Sequence, residues 1–140
     1  MPNDPATNAP PPQLEISASR QFTPWLAEQN LSLAFTTYQA GKLFFIGLQS
    51  SGKLSVFERT FERSMGLFVQ GSTLWRSTSY QLWRFENSLD AGQTYQGYDA
   101  LYVPQQRYVT GDLDIHDIVI PTGSDQPIFA NTLFSCLGTV

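Results

Sequence analysis

The residues best suited to chemistry form an acidic run around the chain's single histidine, where residues 112–117 read DLDIHD. Carboxylate oxygens and imidazole nitrogens are both ligands for zinc, manganese and iron. Along an extended strand each residue adds about 3.3 Å, so Asp112 and His116 lie about 13 Å apart and cannot share one ion. Asp114 and His116 fall on the same face, because strand side chains alternate. The spacing therefore predicts a divalent-metal half-site at Asp114 and His116.

A structural role is the alternative interpretation of the same run, and it is the commoner role of short acidic turns. In that case the carboxylates bond the amides of a turn that leads into an inner strand, and His116 packs near a central channel. An EF-hand calcium loop is excluded, because it needs glycine where Asp117 stands and glutamate where Gly123 stands. Under the functional interpretation, Asp112, Asp117 and Asn131 are further members of a candidate pocket.

Other reactive residue types lack the surroundings that their chemistry needs. Ser135 is not framed by the G-x-S-x-G pattern of a nucleophile elbow. Cys136 is the only cysteine, which excludes an intrachain disulfide, and its apolar neighbours predict a buried and inert thiol. Trp75, Tyr80 and Trp83 can stack on sugars, but their spacing along strands favours packing between sheets.

Composition excludes several classes of partner. Charged residues make up 14% of the chain and the formal net charge is −4, whereas a nucleic-acid groove needs a basic stripe. The lysines and arginines, Arg76 among them, are scattered along the sequence. No apolar run approaches the roughly 20 residues of a membrane helix, and residues 1–13 lack the basic and apolar regions of a secretory signal. The predicted location is the cytoplasm, by default.

The chain divides into a tail and one β-rich domain. Residues 1–19 are rich in proline and hold little to bury, so they are predicted to form a disordered tail. Residues 20–140 form the domain. Within it, residues 23–29 predict one short helix, with Thr23 as its cap and Pro24 in the first helical position.

From Leu31 onward, short apolar runs alternate with turns that contain glycine or serine. This pattern is typical of an all-β sandwich, barrel or propeller. Aromatic residues make up 14% of the chain and hydrophobic residues 41%, which is enough for a core. Strands are predicted over residues 33–38, 42–49, 53–61, 66–70, 73–79, 82–86, 100–108, 115–121, 127–133 and 136–140.

A loose internal repeat selects among these all-β folds. Residues 66–69 match residues 117–120 at an offset of 51, and residues 74–78 match residues 128–132 at an offset of 54. Residues 43–47 fit the pattern once more. A period near ~50 residues with about four strands is typical of propeller blades. The chain is therefore predicted to hold the first two to three blades of a β-propeller that is truncated at its C-terminus, with a β-sandwich as the alternative.

Several strings in this order also carry a resemblance: residues 32–39 read SLAFTTYQ, 54–61 LSVFERTF, 80–87 YQLWRFEN, 111–117 GDLDIHD and 131–137 NTLFSCL. Over residues 20–140 the chain resembles a family of uncharacterised bacterial proteins, described as conserved hypothetical and sometimes attached to tetratricopeptide repeats. The resemblance implies a propeller-like domain more than twice this long, of which the chain is the N-terminal part. It implies no activity.

Two functions from different classes follow from these patterns. In the first, the domain is a non-catalytic binding or scaffold platform, and its partners are the remaining blades or a second copy of the chain. In the second, the ring is a metal-dependent hydrolase or lyase with Asp114 and His116 at the mouth of its channel. A third interpretation is a truncated gene product without a function of its own. The binding platform is favoured, because the chain lacks the rest of the ring, where further ligands would lie.

Overall fold

The computed structural model describes residues 14–140, which are mostly β with one short helix. All of the predicted strands are present, and each end lies within two residues of the predicted end. Residues 14–19 are irregular and exposed, whereas residues 1–13 of the predicted tail lie outside the described residues. The strands are β1 (Leu33–Thr37), β2 (Lys42–Leu48), β3 (Leu54–Thr60), β4 (Leu67–Gln70), β5 (Thr73–Ser77), β6 (Gln81–Asn87), β7 (Tyr102–Val109), β8 (Ile115–Val119), β9 (Ile128–Asn131) and β10 (Cys136–Thr139).

Helix α1 spans Phe22–Gln29, and its core-facing residue is Leu26, which is buried where the helix packs against β2. Gln21 is the N-cap and makes no side-chain capping bond. The prediction that Thr23 caps the helix is therefore wrong, because the helix begins one residue before it. Pro24 lies inside the first turn, where its missing N–H would have had no acceptor within the helix. No helix within residues 14–140 is long and apolar enough to span a membrane.

The strands form three antiparallel sheets, and each sheet is a meander of strands that follow one another in the chain. The first sheet has the order β1-β2-β3, the second β4-β5-β6-β7 and the third β8-β9-β10. Because antiparallel neighbours need only short turns between them, each sheet is built from local contacts. Meanders of this kind occur in propellers and in sandwiches.

The main core lies between the second and third sheets. Trp75 of β5 and Leu82 of β6 pack with Ile118 of β8 and Phe129 of β9, and none of these side chains is more than 3% exposed. Each fully buried side chain of this size contributes about 1.5–3 kcal/mol to folding. The same cluster includes Ile115 and Ile120.

A side-chain hydroxyl joins each sheet to the next. Thr36, near the end of β1, donates through Oγ1 to the carbonyl of Met65, two residues before β4, at 2.5 Å. Ser77, the last residue of β5, donates through Oγ to the carbonyl of Ile115, the first residue of β8, at 2.8 Å. The step from the first sheet to the second therefore recurs in the step from the second to the third.

The strand ladders show that the two predicted repeat offsets are incompatible with each other. In the second sheet Phe68 pairs with Trp75, and in the third sheet Val119 pairs with Ile128. Matching the first strands at the predicted offset of 51 aligns Phe68 with Val119, so Trp75 aligns with Ile128 at an offset of 53 (128 minus 75). The predicted offsets of 51 and 54 therefore do not fit the same pair of ladders. Residue types alone suggested these offsets, whereas a shift of one residue exchanges the two faces of a strand.

The second and third sheets provide a matched pair of leucines. Leu82 lies opposite Ser77 in the second sheet and is fully buried, whereas Leu137 lies opposite Ala130 in the third sheet and is 75% exposed. We expect Leu82→Ala to lower the free energy of unfolding by about 2–5 kcal/mol. The Leu137→Ala variant should change it by less than about 0.5 kcal/mol. Urea unfolding followed by tryptophan fluorescence measures both, and equal losses would contradict the assigned core.

Candidate functional site

The acidic run, residues 112–117, covers the end of the connection from the second sheet and the first three residues of β8. Gly111 and Asp114 both adopt positive φ, at 74° and 49°, and bend this connection. Aspartate tolerates the left-handed region better than most residues, because its short side chain bonds locally. Thr132 holds Asp114 in place, since its Oγ1 donates to the Asp114 carbonyl at 2.6 Å and lies 3.2 Å from Asp114 Oδ2.

The structure places Asp114 and His116 next to each other, although Asp114 precedes β8 and is not part of the strand. Asp114 Oδ2 lies 3.3 Å from His116 Nε2. The imidazole is about half exposed and stacks on the ring of Tyr38, with 6.4 Å between ring centres. Because Tyr38 belongs to the turn after β1, this contact joins the first sheet to the third at the end where the chain enters β8.

The Asp114–His116 pair offers two ligand groups to a metal ion. Asp114 Oδ1 is buried and has no hydrogen-bond partner in the structure, so it is a free acceptor. Residues 14–140 contain no group of three or more histidine, cysteine, aspartate or glutamate side chains able to hold a metal ion. An open catalytic zinc site uses three protein ligands. Within the part of the chain that the structure describes, the pair therefore supplies fewer protein ligands than such a site uses.

The other predicted pocket residues hold separate contacts. Asp112 faces Arg63, with its Oδ1 at 3.4 Å from Nη1, in an exposed ion pair. Asp117 accepts a hydrogen bond from the backbone N–H of Ile118, its own neighbour, at 2.9 Å. Asn131 is nearly buried opposite Ile115 in the ladder. These carboxylates and this amide thus stabilise turns and strand ends around the Asp114–His116 pair.

A shallow open depression lies on the third sheet, and sequence reasoning did not find it. It encloses about 520 Å³ and is lined by Ala130, Asn131, Thr132, Ser135, Cys136 and Leu137. The prediction that Cys136 is buried is wrong, because the thiol is exposed at the start of β10. The apolar neighbours that suggested burial, Phe134 and Leu137, are themselves exposed at 65% and 75%.

The predicted packing of aromatic side chains between sheets holds for Trp75, whereas the stacking contacts of Trp83 lie within its own sheet. Trp75 is buried in the core between the second and third sheets. Trp83 stacks on Phe85 with 6.0 Å between ring centres, and the Arg107 guanidinium lies 5.5 Å from its ring. Tyr80 is 51% exposed, because it lies in the turn between β5 and β6 and not in a strand.

Arg76 is a buried charge that sequence reasoning counted among the scattered cations. Its side chain is fully buried, and its guanidinium carbon lies 3.3 Å from the centre of the Phe61 ring. Burial lowers the pKa of Arg76 to about 9. Its burial follows from its place in a strand whose two faces are both covered, since Trp75 and Ser77 on either side of it are also buried.

Comparison with known proteins places the chain in a family. A family model described as a domain of unknown function, DUF4915, matches residues 20–140. The chain belongs to the DUF4915 family. This confirms the predicted membership of an uncharacterised family over these residues. No curated protein and no solved structure matches the DUF4915 chain.

The carboxylate of Glu86, the next-to-last residue of β6, is held by three neighbours in this DUF4915 domain. Thr73 Oγ1 donates to it at 2.8 Å, Ser72 Oγ donates at 3.1 Å, and Arg84 Nη2 lies at 2.7 Å. Partial burial alone would raise the pKa of Glu86, but the hydrogen bonds from Thr73 and Ser72 and the charge of Arg84 together lower it. Glu86 therefore stabilises the fold at pH values above the ordinary glutamate pKa.

We expect Glu86→Gln to lower the free energy of unfolding by about 0.5–1 kcal/mol at pH 7, the range of partly exposed ion pairs. A lowered folded-state pKa gives stability that is lost as pH falls through that pKa. The difference between wild type and variant should therefore shrink as pH falls below the ordinary glutamate pKa of about 4.3 and disappear only below the lowered pKa of Glu86 in the folded state. Urea titrations at several pH values measure it. The matched control is Glu62→Gln, whose side chain makes no hydrogen bond within residues 14–140, and an equal loss there would contradict the assignment.

Proposed function

We propose that this DUF4915 domain is part of a propeller-type, non-catalytic binding or scaffold domain, and that its three sheets are consecutive blades. The observation that carries the proposal is the repeated contact between sheets. Thr36 and Ser77 donate to the carbonyls of Met65 and Ile115 from equivalent strand ends. A rotation that repeats around an axis produces such recurrence, as in rings of about 4–8 blades.

A second recurrence supports the same equivalence between sheets. The N–H of Phe61, after β3, donates to the carbonyl of Gly41 at 2.6 Å, and the N–H of Thr110, after β7, donates to the carbonyl of Tyr80 at 2.9 Å. The strands β1, β2 and β3 therefore correspond to β5, β6 and β7. On this alignment the first sheet comprises the second, third and fourth strands of a blade.

The exposed face of the third sheet supports a partner there. Leu137 corresponds to Leu82, and Val119 corresponds to Phe68, on the face by which the second sheet packs on the third. Leu137 is 75% exposed and Val119 is 47% exposed, whereas Leu82 is fully buried. A blade of a propeller buries each face against a neighbour. The proposal therefore assigns this face to a further blade, or to a second copy where no blade covers it.

The proposed ligand-binding surface lies where the three sheets meet. Tyr38 comes from the turn after β1 and Arg63 from the connection to the second sheet. Asp114 comes from the connection to the third sheet, and His116 from β8 itself. Side chains from separate sheets converge on small surfaces at the channel mouths of propellers. Exposed aromatic, cationic and anionic groups at one place suit the binding of a polar ligand without catalysis.

A metal-dependent enzyme is the second candidate function. The observation that favours it is the buried, unpartnered Oδ1 of Asp114 beside the half-exposed imidazole of His116. A carboxylate oxygen and a neutral imidazole nitrogen fit zinc or another divalent transition metal. The remaining ligands would come from elsewhere in a closed ring.

The exposed face predicts self-association of the isolated chain. We expect sedimentation velocity at micromolar concentration to show dimers or larger species, because an uncovered apolar sheet face and its edge seek partners. The Leu137→Glu variant should shift the chain toward the monomer, since the new carboxylate would be buried at the contact. Leu14→Glu, at an exposed leucine outside the sheets, is the control. A monomeric wild type with a cooperative melt at high temperature would count against the proposal.

The metal proposal predicts a difference between the short chain and a longer protein of the family. Calorimetry with zinc should show weak or no binding to the 140-residue chain, because two side chains supply too few ligands. A longer member should bind zinc, and His116→Ala in it should abolish binding and leave its melting temperature within a few degrees. Absence of zinc binding to the longer protein, or unfolding by His116→Ala, would leave the acidic run with a structural role.

A further inference from the structure

The face of the second sheet that packs on the first sheet holds a surplus of buried hydrogen-bond donors. Arg76 and Trp83 lie directly opposite each other on β5 and β6. Residues opposite each other in an antiparallel ladder share a face, with Cβ atoms about 4.5–5.5 Å apart. Nε and Nη1 of Arg76 and Nε1 of Trp83 are buried and have no acceptor in the structure.

A third polar group lies in the connection that runs past Arg76. The Arg76 guanidinium rests on the ring of Phe61, and Ser64 lies three residues after Phe61 in the chain. Its side chain is fully buried, and its hydroxyl has no hydrogen-bond partner either. Arg76 itself makes one side-chain hydrogen bond, from Nη2 to the carbonyl of Ser77 at 3.3 Å.

No carboxylate neutralises this buried guanidinium. The lysine and arginine ion pairs within residues 14–140 involve Lys42, Arg63 and Arg84. The buried Oε2 of Glu58 lies on the opposite face of the first sheet, because Glu58 pairs with Phe44 while the neighbouring Phe45 faces Tyr102 of the second sheet. The Phe61 ring offsets part of the charge through its π face.

We propose that a small inorganic anion with the size and charge of chloride binds between the first and second sheets, held by the guanidinium of Arg76 and the indole N–H of Trp83, with the Ser64 hydroxyl as a third donor. Buried donors are almost always paired, and a buried charge needs an opposite charge. An anion meets both needs at once, because it accepts from several donors and neutralises the guanidinium. Water would satisfy the donors and leave the charge uncompensated. The inference does not depend on the proposed propeller.

The site predicts that chloride stabilises the fold in a saturable way. A dissociation constant of about 30 mM would raise the folding equilibrium constant about tenfold at about 300 mM chloride. The test is thermal and urea unfolding in sodium chloride exchanged for sodium gluconate at constant ionic strength, since gluconate is too large for a buried site. In parallel, the indole N–H resonance of Trp83 is followed by NMR during the same exchange and is identified by its loss in Trp83→Phe.

We expect the wild type to show both the stabilisation and a saturating shift of the Trp83 resonance. Arg76→Met should lose both, Trp83→Phe and Ser64→Ala should weaken the chloride dependence, and the control Arg84→Met, at a partly exposed arginine, should keep it. Absence of chloride dependence in the wild type would mean that water fills the site and would overturn the proposal. Unchanged dependence in Arg76→Met would overturn it too. If Arg76→Met does not fold, an unchanged chloride affinity in Trp83→Phe is the deciding contrary result.

Discussion

The Ser77 hydroxyl holds three segments of chain together at the centre of the molecule. It accepts a hydrogen bond from the N–H of Gly66 at 2.8 Å and donates one to the carbonyl of Ile115 at 2.8 Å. The residue ahead of β4, the end of β5 and the start of β8 therefore meet at one buried oxygen. A Cβ on Gly66 would lie 2.9 Å from Cγ1 of Ile118, so the close approach of the two sheets depends on glycine there. Any change at this contact alters both the core and the position of β8.

The Asp114–His116 pair depends on the same contact. Ile115 lies between the two residues, and its carbonyl is held by Ser77 while its side chain is 1% exposed in the core. Thr132 fixes Asp114 from the third sheet. The pair is thus mounted on a rigid strand start, which is the arrangement that a binding site needs to hold its geometry. A purely structural turn would have the same rigidity. A test of metal binding in a longer protein of the family distinguishes a binding site from a structural turn.

The faces of the sheets are used unequally. The second sheet is covered on both faces, by Phe129 and its neighbours on one side and by the first sheet on the other. The third sheet is covered on one face, and Leu137 is exposed on the other. Burial of one such side chain is worth about 1.5–3 kcal/mol, so the uncovered face favours association. The face of the second sheet that packs on the first sheet is the opposite extreme, since it buries the charged side chain of Arg76 with no carboxylate beside it.

Local patterning in the sequence determined the strands and their turns, because strand alternation and turn chemistry act over a few residues. The closeness of Asp114 and His116 has a different cause, since Asp114 precedes β8 with a φ of 49° and is held there by Thr132. The two repeat offsets that local patterning predicted do not fit one register of the ladders, which residue types could not reveal and the Phe68–Trp75 and Val119–Ile128 pairs did. Tertiary packing alone decided that Arg76 is buried and that Cys136 is exposed, because both depend on which sheet covers which face. Burial of a strand face is a property of its neighbour, and that neighbour lies far away in the sequence.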